Sequence, residues 1–80
     1  MVQNFTYNYS KLKGLIREKN LTQEDVASAI SLNKSTFNQK LKGKSEFRQS
    51  EILAICNFLE ISLENISTYF FAIEVCNKQT

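Results

Sequence analysis

The stretch from Thr22 to Leu41, TQEDVASAISLNKSTFNQKL, carries apolar residues at helical spacing, but the period breaks near Ser31 and restarts. One amphipathic helix would hold its period through that point. The break predicts two short helices joined across Ser31-Leu32-Asn33. Thr22 stands three residues before Asp25, the capping-box arrangement that starts a helix. Val26, Ala27 and Ile30 form its buried side, and Ala27 is the small residue two steeply crossing backbones need. Asn33 is a good N-cap for the next helix, Lys34 to Lys42. Gly43 suits the left-handed position that ends it. Phe37 and Leu41, four apart, anchor that helix to the core.

The remaining chain reads as further short helices. Ser10 to Lys19 places Leu12, Leu15 and Ile16 on one narrow face, with Lys11, Lys13, Arg17 and Lys19 around it. Gly14 within it costs about 1 kcal/mol of propensity relative to Ala, which close approach of a neighbouring helix would offset. Gln49 to Leu59 turns Ile52, Ile55, Cys56 and Leu59 inward. Ser62 caps a short fifth helix through Ile66 or Ser67, with Glu64 favourable to its dipole. The segment YFFAIEV then alternates Tyr69, Phe71, Ile73 and Val75 with Phe70, Ala72 and Glu74, a strand-like pattern. The expected fold class is all-α, five short helices with a candidate C-terminal β-strand. Residues 1–9 read as an N-terminal arm, although Phe5, Tyr7 and Tyr9 alternate as a strand would. Residues 10–68 form the domain, and 69–80 a tail.

Eighty residues make one core and leave little material for a deep pocket. The net charge of +2 hides an asymmetry: residues 1–44 sum to +5 and residues 45–80 to −3. A basic half joined to an acidic half suggests that one end meets a polyanion. No histidine is present, and Cys56 and Cys76 are the only thiols, without CxxC spacing. Metal sites and histidine-dependent nucleophilic catalysis lack their ligands and base. The expectation is therefore no enzyme, no cofactor and no metal. No charged leader followed by an apolar run and no span-length apolar stretch stand out, so the chain reads as cytoplasmic.

The outer face of the third helix is polar for a reason. Lys34, Ser35, Thr36, Asn38 and Gln39 can donate to phosphates or hydrogen-bond base edges, and no acidic residue occurs from Asn33 through Ser45. The segments LTQEDVASAISLNKSTFNQKLKGK and ILAICNFLEISLENI resemble the Cro and C1-type (XRE-like) helix-turn-helix regulators, most nearly the small Cro-like proteins of phages of Gram-positive hosts. The likeness runs roughly from Tyr9 to Phe71. It implies a lambda-repressor-like domain that binds double-stranded operator DNA, usually as a homodimer, in a bacterial host cell. Carried over by position, Gln23 touches a phosphate and braces the third helix. Lys34, Ser35, Asn38 and Gln39 read bases, with Thr36 between them, and Lys42 and Lys44 grip the backbone. Two positions depart from the pattern. Ser31 stands where glycine is commonest, and Lys40 where an apolar residue is common.

The apolar tail either folds back on its own domain or forms an intermolecular antiparallel strand pair; in the second case Phe70, Phe71, Ile73 and Val75 make the dimer. The function expected is a sequence-specific repressor that blocks transcription in a phage lysis–lysogeny switch. The rival is a protein-interaction module, an antirepressor or antitoxin, that keeps the helix-turn-helix shape and acts on another regulator.

Overall fold

A computed structural model describes the backbone of residues 5–75 and the side chains of residues 7–73. Five α-helices follow one another: α1 (Ser10–Glu18), α2 (Gln23–Ala29), α3 (Lys34–Leu41), α4 (Gln49–Leu59) and α5 (Ile66–Phe70). A 3-10 turn, Leu63–Asn65, leads into α5. Strands β1 (Phe5–Tyr7) and β2 (Ile73–Val75) pair antiparallel, with Phe5 opposite Val75 and Tyr7 opposite Ile73. The helical class and the C-terminal strand agree with the sequence reading.

The helix starts follow from local chemistry. The Asp25 N–H donates to Thr22 Oγ1 at 3.1 Å, and the Thr22 N–H donates to Asp25 Oδ2 at 2.8 Å, a complete capping box. The Thr36 N–H donates to Asn33 Oδ1 at 2.8 Å and caps α3. Between these helices Ser31 has φ 63°, left-handed backbone that a residue with a Cβ adopts at a cost. The turn thus takes a conformation that glycine adopts most readily, without a glycine. Gly43, at φ 82°, closes α3 as its position predicts.

One core joins all five helices. Leu12 and Ile16 of α1, Val26 and Ala27 of α2, Phe37 and Leu41 of α3, and Ile55, Cys56 and Leu59 of α4 are buried together. Three aromatic residues that periodicity did not place inside complete it. Tyr9, Phe47 and Phe70 stack edge to face, with Phe47 centred 5.4 Å from Tyr9, 5.8 Å from Phe70 and 5.9 Å from Phe37. Burial pushes the Tyr9 phenol above its ordinary pKa, helped by Tyr7 and Glu46. It also pushes up the Cys56 thiol.

Three expectations change. The arm is strand over Phe5–Tyr7, and Tyr9 is a core residue. Tyr69 and Phe70 end α5 rather than begin a strand, because Phe70 fills the aromatic cluster. A Cβ built on Gly14 would meet nothing within 4 Å, so no neighbouring helix lies close there. Cys76 lies outside the described residues. Among those residues, no helix is long and apolar enough to cross a membrane.

Candidate nucleic-acid interface

Helix α3 is held from beneath by Phe37, 0% exposed, and Leu41, 4% exposed. With those two positions fixed, the helical repeat turns Lys34, Ser35 and Gln39 to the exposed side. Thr36 and Asn38 are half-buried at its flank. Lys42 and Lys44, on either side of Gly43, are exposed. The seven polar residues expected to meet DNA on α3 and its following loop are thus brought onto one stretch of surface, five of them fully outward.

Gln23 is half-buried at the first turn of α2. Its Oε1 accepts a hydrogen bond from Asn38 Nδ2 at 3.1 Å, so the two helices of the motif are tied by their amides. That bond uses the Gln23 oxygen and leaves its amide N–H groups to donate. Asn38 keeps its Oδ1 and one N–H. The pair can present donors to a phosphate and a mixed donor–acceptor edge to a base.

The first turns of the helices differ in sign. Glu24 and Asp25 stand in the first turn of α2 and Glu51 in that of α4, where carboxylates suit the positive end of the helix dipole. The first turn of α3 holds no acid and begins with Lys34. A cation there costs the isolated helix stability and offers a charge to an incoming anion.

Lys40 is the departure that sequence patterning could not resolve. It is 8% exposed on the inner side of α3. Its Nζ donates to the Glu46 carbonyl at 2.9 Å and lies 3.1 Å from Glu51 Oε1. The same Oε1 accepts the Arg48 N–H at 2.8 Å, the cap of α4. Burial pushes the Glu51 carboxyl up, but the Arg48 N–H and the Lys40 ammonium outweigh it and leave the pKa below its ordinary value.

The tail residues divide. Phe70, expected on a dimer surface, is 1% exposed in the core and is withdrawn from it. Phe71 and Ile73 are about half exposed. The backbone of Val75 pairs with Phe5 of its own chain, and its side chain lies outside the described residues. The strand pairing seen is therefore within one chain. Elsewhere, a groove of about 500 Å³ runs between α4 and the 3-10 turn, lined by Leu53, Asn57, Glu60 and Leu63. Leu53 and Leu63 are large apolar residues left exposed in this region, with Glu60 and Glu64 exposed beside them, and Phe58 is exposed on another flank of α4. No residue from Gln49 through Asn77 is basic.

Comparison with known proteins gives these features a context. No curated protein matches the chain. The solution structure of the modulator of repression of the temperate bacteriophage TP901-1 from Lactococcus lactis superposes with a TM-score of 0.71. It is 39% identical, over 82% of this chain and 89% of that one. The similarity thus reaches a phage regulator of a Gram-positive host. A family model described as a protein of unknown function, DUF739, matches residues 5–73. This match runs from the start of β1 through all five helices to the first residue of β2, and the chain belongs to the DUF739 family.

Proposed function

We propose that this chain is a Cro/C1-type regulator of a temperate-phage lysis–lysogeny switch that seats α3 in the major groove of an operator and blocks transcription. The observation that carries the reading is the outward, acid-free start of α3, where Lys34, Ser35 and Gln39 are exposed and a cation occupies the first turn. Residues 10–68 act as the DNA-binding domain. Lys34, Ser35, Thr36, Asn38 and Gln39 address bases; Gln23, Lys42 and Lys44 address phosphates. Each neutralised phosphate releases counterions, so log K falls by about 0.9 per contact for each tenfold rise in salt. The chain works in the host cytoplasm and binds a palindromic site as a dimer, with recognition helices about 34 Å apart. Phe71 and Ile73 remain as the tail's exposed candidates for that contact.

The test is selection of bound duplexes from random DNA at two salt concentrations. A palindromic consensus supports the reading. On that consensus, Gln39→Ala relaxes preference at one base pair, while Lys42→Ala weakens all sequences nearly alike. Uniform loss in both variants would overturn the division between reader and gripper.

A second reading has specific support. The similar phage protein is named a modulator of repression, and this chain bears exposed Leu53 and Leu63 beside Glu60 and Glu64. An acidic, apolar surface fits a cationic protein better than DNA. In this reading the chain acts on another regulator. Sequence-blind, salt-sensitive retention in the selection would favour it. Weakened operator retention by a cognate repressor when this chain is added would favour it further.

A further inference from the structure

We propose that Lys40 is a positioning residue: its buried ammonium fixes the loop between α3 and α4 so that Lys42 and Lys44 are held ready for an anion. The argument begins from where Lys40 sits. It lies three residues after Phe37 and beside Leu41, on the side of α3 that faces the core, where the helical repeat calls for an apolar residue. A buried ion pair is a poor way to stabilise a fold, because desolvation offsets the attraction and apolar residues in place of both partners often do as well. What the ammonium adds over a methionine is direction.

Its two partners lie beyond the loop's middle. The Gly43 and Lys44 N–H groups close on the carbonyls of Lys40 and Gln39 at 3.1 and 3.0 Å. Phe47 is buried in the aromatic cluster, and Arg48 caps α4 through Glu51. Between these ends the Lys40 ammonium takes the Glu46 carbonyl at 2.9 Å while meeting Glu51 at 3.1 Å. One side chain of α3 therefore binds the loop backbone and the first turn of α4 together. Lys42 and Lys44, both exposed, ride on a loop restrained at its start, at Glu46 and at its end. Ordering a loop before binding removes that cost from the binding step.

The binding part of this inference rests on the DNA reading; the ordering part does not. The experiment uses the full chain and compares it with Lys40→Met and Glu51→Gln by amide hydrogen exchange, thermal melting and retention of the selected duplex. Lys40→Met leaves the Glu51 carboxylate buried without its cation, so the melting midpoint is expected to fall by more than about 10 °C. Exchange at the Lys44 amide, which is bonded to the Gln39 carbonyl, rises about tenfold more than exchange at the amides of α1 and α2. Duplex affinity falls about tenfold. Should Lys40→Met fail to fold, Glu51→Gln decides. It keeps an oxygen for the Arg48 N–H but loses the ion pair, and exchange at the Lys44 amide rises about threefold. Unchanged loop exchange in a folded variant overturns the proposal and leaves Lys40 as a space-filler. If the parent itself retains no duplex, the DNA reading fails, and the exchange comparison still decides the role of Lys40.

Discussion

Helices α3 and α4 are neighbours in the chain and share the core, yet they obey opposite surface rules. Helix α3 buries a charge, Lys40, and exposes Lys34, Ser35 and Gln39. Helix α4 buries only apolar residues, Ile55, Cys56 and Leu59, and leaves Leu53 and Phe58 in solvent. Their first turns differ in the same sense: Lys34 against the dipole in α3, Glu51 with it in α4. Stability alone would make the two alike. The lesson is that each helix departs from what the fold alone would favour. Helix α4 leaves apolar surface uncovered, and α3 gives up favourable local terms at its start, which under the DNA reading proposed above a polyanion would repay. Such local inconsistency is expected at functional surfaces.

The comparison breaks first, and by most, at the inner face. Phe37→Ala removes a ring that is 0% exposed and in contact with Phe47, at a cost of about 3–5 kcal/mol. Phe58→Ala on α4, where the ring is 42% exposed, changes stability by less than about 1 kcal/mol. Urea denaturation of both variants measures the difference. Similar losses in the two would mean that Phe58 is packed and that α4 has no apolar surface to offer a partner.

Acid tests the seam that the two helices share. Glu51 has a folded pKa below its ordinary value, so its contribution is fully present above about pH 4.3, where the unfolded group is ionised. That contribution is lost as pH falls through the lower, folded value. Glu51→Gln has no such term and should show a shallower loss of stability in that window. Parallel pH–stability curves for parent and variant would show that the Lys40–Glu51 contact contributes nothing measurable.

Much of this contrast was legible in the sequence, and the rest was hidden for physical reasons. The break at Ser31, the Thr22–Asp25 box, the Asn33 cap and the span of α4 are local, and each is set by residues within four positions. The outward set on α3 followed from Phe37 and Leu41 alone. The strand pairing is not local: Phe5–Tyr7 meets a partner almost seventy residues away, and no spacing rule reports it. Phe47 sits alone among polar residues, so periodicity passed it over, although a lone aromatic in a loop was itself the clue to its burial. Phe70 read as strand because its neighbours alternate, but the cavity beside Tyr9 and Phe47 took it into α5. Lys40 departs visibly from an apolar pattern; its partners Glu46 and Glu51 become apparent only when the loop folds back.

The smallest effect is the most direct test of what α3 is for. Lys34 is the first residue of α3, where a positive charge opposes the dipole and no acid offsets it. Lys34→Glu replaces it with the charge that α2 and α4 carry in their first turns. If α3 were composed for stability, this position would already be acidic or neutral, and the change would gain nothing. We expect a gain of about 0.3–1 kcal/mol in denaturation at low salt, because the carboxylate now faces the free N–H groups of the first turn. Raising the salt concentration should shrink that gain, since the position is exposed. Retention of duplex DNA should fall in the same variant, because the carboxylate repels the phosphates that Lys34 would attract. Opposite signs in the two assays would identify a residue kept at the expense of the fold. A variant that is more stable and binds the duplex as well as the parent would remove Lys34 from the interface, and the unfavourable charge at the start of α3 would then need another cause.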